Sequence, residues 1–125
     1  PKPSSAASDV YKRQISARFT DAVASGTRIA GSRPRGAAAE LIPDEAWIDL
    51  ELVDRGSDAA RIADAVAQHD EVRGDRLRRA ALIDLDWRHR LHAVAGCLDA
   101  DTSLLGRELE EVRALAASLS QDGVR

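Results

Sequence analysis

Apolar residues recur at helical spacing along most of this chain, and two short stretches break the rhythm. Ile15, Phe19, Ala22 and Val23 stand at i, i+4, i+7 and i+8, which places them on one helical face. Gly26 follows as the residue past the helix end, where a positive φ carries no Cβ penalty. Thr27 to Gly31 is small and β-branched and predicts a strand. Gly31-Ser32-Arg33-Pro34-Arg35-Gly36 reads as a loop. Ala37 to Leu41 predicts a helical turn stopped by Pro43, and Ala46-Trp47-Ile48-Asp49-Leu50 a second strand. Asp54-Arg55-Gly56 then interrupts the chain.

The remainder predicts four helices. Ser57 is the expected N-cap of the first, with Ile62 and Val66 in phase. A second spans about 71–84, with Leu77 and Ala81 on one side and arginines on the other. Asp86 caps the third, whose apolar face is Trp87, Leu91, Val94, Ala95 and Leu98. The last runs over about 102–119, with Leu105, Leu109, Val112, Ala116 and Leu119 in phase. The fold class is therefore α/β but helix-rich, with about two parallel strands followed by several helices. Two strands are too few for an independent sheet. They read as the last strands of a parallel sheet whose earlier strands belong to a missing N-terminal part.

Residues 1–14 stand apart. Pro1 to Ser8 is small, polar and without periodicity, and Lys2 and Lys12 are the only lysines of the chain. Asp9-Val10-Tyr11-Lys12-Arg13-Gln14 resembles the translation of a sequencing-library adapter. The segment is expected to be such a scar or a disordered tail, leaving residues 15–125 as the folded unit.

Composition narrows the functions. A net charge of −3, from 18 basic and 21 acidic residues, argues against nucleic-acid binding driven by bulk charge. With aromatics at 3%, few platforms exist for stacking bases. No apolar run approaches the ~20 residues of a transmembrane span. The lone cysteine, Cys97, excludes an internal disulfide, so a cytoplasmic setting is expected.

The segment from Arg18 to Leu50 carries the candidate chemistry. Ligands of open α/β sheets bind where strands end, and the Gly31–Gly36 loop follows a predicted strand. Arg33 and Arg35 in that loop can offer forked donors to phosphate or carboxylate, or serve as solvated charges on a structural turn. Arg18-Phe19-Thr20-Asp21-Ala22-Val23-Ala24-Ser25-Gly26-Thr27-Arg28-Ile29-Ala30-Gly31 resembles a segment of the two-domain (GT-B) glycosyltransferases. There a basic residue and an acid precede Ala-x-Ala-x-Gly-Thr and a strand. Glu40 to Leu50 is similar to the following stretch of that family, and Asp86-Trp87-Arg88-His89-Arg90-Leu91 to the start of its closing helix. The likeness covers about Ile15 to Leu98 in one register.

The resemblance implies a partial Rossmann-like half that binds the nucleotide-sugar donor. Asp21 would contact the donor ribose, although the family more often has Glu there. Arg18 would lie near the donor phosphates, with Ser25, Gly26, Thr27 and Arg33 as further donor-binding positions. A second Glu of many retaining members would fall on Arg13. No cofactor or metal is implied, and the acceptor half with any catalytic base would lie upstream. The implied reaction is sugar transfer from an activated donor to a hydroxyl. The alternative reading is a small helix-rich interaction or regulatory module without an active site.

Other polar residues read as structural. His89 and His92 lack an obvious third ligand, as does His69. Asp84 and Asp86 read as helix punctuation, and Cys97 as a buried thiol. Trp47 and Trp87 read as core anchors. Arg73, Arg76, Arg78 and Arg79 alternate with acids on a solvated helix face.

Overall fold

The computed structural model describes residues 16–121. Residues 1–14 and Ile15, to which the tail, Arg13 and the first apolar position belong, lie outside the described residues. Helix α1 (Ala17–Ala24) leads into β1 (Ile29–Gly31). Short 3-10 turns at Ala37–Leu41 and Asp44–Ala46 carry the chain to β2 (Trp47–Asp49). Helices α2 (Arg55–Ala67), α3 (Glu71–Ala80), α4 (Trp87–Cys97) and α5 (Ser103–Gln121) follow, with a π-helical turn, Ala81–Leu85, joining α3 to α4. This is the element order that the sequence predicts.

The two strands pair in parallel, Ile29 opposite Trp47 and Gly31 opposite Asp49. A parallel pair cannot be closed by a hairpin and needs a crossover. Here the 3-10 turns supply it. The strands are shorter than predicted at Thr27, Arg28, Ala46 and Leu50. Part of the reason is Arg28, whose guanidinium donates to the Glu45 and Trp47 carbonyls at 3.1 and 2.8 Å and so bridges the strand starts through its side chain.

The core collects where α1, the strands and α3 meet. Val23, Ile29, Ile42, Ala46, Trp47, Leu77, Ala81 and Leu85 are buried together. Phe19 packs edge-on to Trp47, with ring centroids 5.3 Å apart at 74°. Fully burying a side chain such as Leu77 or Val23 contributes about 1.5–3 kcal/mol each. Leu109, Val112 and Ala116 of α5 are buried too, as their spacing predicts. Gly26 ends α1 at φ +73°, and a Cβ there would stand 2.8 Å from the Gly74 carbonyl oxygen. The turn after α1 therefore lies against α3 at backbone contact.

Several sequence expectations are corrected. Asp54, not Ser57, caps α2, its carboxylate accepting from the Gly56 amide. Asp58, one turn on, is 8% exposed and accepts from the Glu51 and Leu52 amides at 3.0 and 2.9 Å. Those bonds hold Leu52 at φ +59°, a left-handed conformation that a branched side chain rarely adopts. Ile62 and Val66 are exposed, because among the described residues the sheet is two strands wide and no further strand covers them. The predicted second helix breaks into the π turn at Ala81.

Helix α4 departs furthest. Cys97 is exposed, not buried. Trp87 is 69% exposed, not a core anchor, and Leu91, Val94 and Leu98 are exposed beside it. The helix has the predicted apolar stripe but buries no residue. Its opposite side, carrying His89 and His92, meets α5, which turns the stripe to solvent.

Candidate functional site

A cavity lies between α1, the π turn, the start of α4 and the end of α5. It is open to solvent and measures about 550 Å³. Ala24, Ala81, Leu82, Leu85, Leu115 and Leu119 give it apolar walls, and Asp21, Arg78, Asp86, Trp87 and Arg88 give it polar and aromatic edges.

Each polar edge has a local cause. Ser16 caps α1 by accepting from the Arg18 amide, and the helix then brings Thr20 and Asp21 one turn on to the cavity. The Thr20 hydroxyl donates within the helix to the Ala17 carbonyl at 2.7 Å, so it is already engaged. Asp21 is exposed and makes no ion pair among the described residues, which leaves its carboxylate able to accept. Asp86 caps α4 by accepting from the Arg88 amide at 3.0 Å. The same carboxylate holds the Arg88 guanidinium in a fork, at 2.8 and 2.7 Å. Those side-chain bonds, more than anything else, keep the Asp86 carboxyl below its ordinary value and raise the guanidinium of Arg88. Arg78 is held one turn from Asp75 at 2.6 Å. The Trp87 ring stands at the edge with the Arg90 guanidinium 5.7 Å from its centroid, within cation–π range.

The cavity thus combines an open carboxylate, an exposed indole face and two anchored guanidiniums around an apolar floor. That set can accept hydrogen bonds from hydroxyls, stack a flat ring and sit beside an anion.

The residues predicted to bind a donor do not share this cavity. Asp21 lines it alone among them. Arg33 lies across β2 in a separate cavity of about 410 Å³ with Pro34, Asp44 and Trp47. Its guanidinium forks to Asp49 at 2.7 and 2.9 Å, also pairs with Asp44, and lies 5.9 Å from the Trp47 ring centroid. The Asp49 bond is the chief reason its pKa is raised. Gly26 and Thr27 line a third cavity with Arg28, His69 and Asp70. The Ser25 hydroxyl donates to the Asp21 carbonyl at 2.8 Å, a helix-terminating bond. Arg18 stands exposed in the first turn of α1.

Trp87, expected in the core, edges the cavity, and Arg78 edges it from a solvated helix face on which it pairs with Asp75. A signal for Trp87 exists: it directly follows an N-cap, where a helix start commonly meets solvent. No helix among the described residues is long and apolar enough to cross a membrane. Compared with known proteins, the chain matches no family model, no curated protein and no solved structure.

Proposed function

We propose that residues 15–125 are the C-terminal portion of the donor half of a GT-B type glycosyltransferase, contributing donor-nucleotide binding. One observation carries this reading. Thr20-Asp21 and Asp86-Trp87-Arg88, far apart in sequence and quoted from two separate segments of the family likeness, converge on one cavity of about 550 Å³. A carboxylate suits the hydroxyls of a ribose, an exposed indole suits a base, and anchored arginines suit a diphosphate. The parallel pairing of β1 and β2 supports the same reading, since parallel strands are built for larger, helix-covered sheets. In the whole enzyme, positive groups and helix N-termini would stabilise the leaving diphosphate while the sugar passes to a hydroxyl acceptor. The acceptor site and base would come from the upstream domain. This portion by itself is inactive.

The test is an amide-resolved NMR titration with UDP, GDP and ADP. The expected result is saturable perturbation confined to 20–24 and 81–88, weakened at least about tenfold by Asp21→Ala through loss of a charge-assisted acceptor. Absence of saturation, or perturbation centred on Arg33, would remove the cavity from the account.

A second reading is favoured by the stripe on α4. Trp87, Leu91, Val94 and Leu98 are all exposed. A helix-rich interaction module would use that stripe and bind no nucleotide. The titration separates the two.

A further inference from the structure

A groove of about 460 Å³ runs between α4 and α5 and shares no lining residue with the cavity around Asp21. His89 and His92 line it from α4, and Ser103, Arg107, Glu110 and Arg113 from α5. Arg107, Glu110 and Arg113 follow one another at three-residue steps, so all three lie on one side of α5. The His89 Nε2 lies 2.9 Å from the Leu82 carbonyl oxygen. A carbonyl can only accept, so Nε2 carries the proton and the ring is fixed in place.

The described arginines fall into two groups. Arg33, Arg61, Arg76, Arg78 and Arg88 each hold a carboxylate. Arg107 and Arg113, like Arg35, Arg55 and Arg79, hold none among the described residues. The chain is net acidic, and α5 itself carries Glu108, Glu110 and Glu111. Carboxylates are plentiful, yet Arg107 and Arg113 pair with no described one and line one concave surface. Glu110 is the single carboxylate lining it, set between them.

We infer that this groove is an anion site that takes a phosphate group. Guanidinium forks match phosphate oxygens in geometry, and two of them flanking one groove supply paired charge-assisted donors. The volume exceeds that of a bare phosphate, so the group can arrive free or on a small organic molecule. Glu110 opposes any anion that enters, which makes its removal a test with the opposite sign from removal of the arginines.

The experiment is calorimetric titration of the full chain at fixed ionic strength with inorganic phosphate and, separately, ribose 5-phosphate. At least one probe binds saturably. Tighter inorganic phosphate identifies a free anion as the source, and tighter ribose 5-phosphate a carried one. The double variant Arg107→Gln, Arg113→Gln weakens binding at least about tenfold, because both charge-assisted forks are lost. Glu110→Gln tightens it roughly threefold or more, because a like charge is removed. Gln is a good helix former, so both variants keep the wild-type melting temperature. No binding of either probe, or affinities unmoved by both variants, overturns the proposal.

Discussion

The corner built from α1, the strands and α3 and the helix α4 obey the same sequence rule and reach opposite ends. Both present apolar residues at helical spacing. In the corner those residues are answered by others: Val23 and Leu77 are completely buried, and Trp47 receives Phe19 on its edge. In α4 the stripe is as regular, but Trp87 and Leu98 remain 69% and 74% exposed. Amphipathic spacing therefore establishes that a face is meant to be covered. It does not establish that this chain covers it. The corner covers its own apolar residues, whereas α4, like the exposed Ile62 and Val66 of α2, has the composition of an interior surface that no described residue covers.

The comparison breaks most sharply under truncation. Leu77→Ala is expected to destabilise the chain by about 2–5 kcal/mol, the cost of a buried cavity. Leu98→Ala should change stability by less than about 0.5 kcal/mol, as at other exposed positions. Denaturant unfolding of both variants checks this, and equal losses would mean that α4 is buried in solution.

Next in size is Gly26→Ala. The substitution forces a left-handed φ on a Cβ residue, about 1–2 kcal/mol, and drives that Cβ against the Gly74 carbonyl. Thermal melts should show the loss, with Gly106→Ala, where a Cβ meets open space, as the control.

Asp86→Ala removes the cap of α4 and is expected to cost ~1 kcal/mol. The pH dependence has a definite sign. The folded Asp86 carboxyl is held below its ordinary value, chiefly by the Arg88 side chain. Its contribution is therefore present above the unfolded pKa, near 4, and is lost as pH falls through the lower folded value. Melting temperature should fall as pH is taken from about 5 towards 2, and the variant should show a shallower fall. The smallest expected effect is a gain. Leu52→Gly relieves the left-handed backbone at φ +59° and should add about 0.5–1 kcal/mol, provided Asp58 keeps its two amide bonds.

Much of the architecture was legible in the residues. The element order, the Gly26 terminus, the Asp86 cap and the buried faces of α1, α3 and α5 follow from local periodicity and capping chemistry. The π turn and the Asp54 cap were not legible, because Ser57 and Asp54 are both good caps and only the bond made by Asp58 to the loop fixes the choice. Exposure of Trp87 and Cys97 was hidden for a different reason: periodicity reports which residues share a face, while burial depends on what stands opposite. The site was legible in part. Asp21 lies in a cavity, but Arg33 is committed to Asp44 and Asp49 through bonds that spacing does not reveal.

Both the uncovered stripe of α4 and the two-stranded parallel sheet follow if the chain is one portion of a larger donor-binding unit. The most direct measurement is the continuous coding sequence upstream of Ile15, read from the source DNA. The account predicts an open reading frame that replaces residues 1–14 and continues through roughly 200–300 residues of alternating strand and helix patterns, the size of the remaining strands and a partner domain. A start codon immediately before Pro1 in uninterrupted genomic sequence would contradict it and leave the interaction module as the function of this chain.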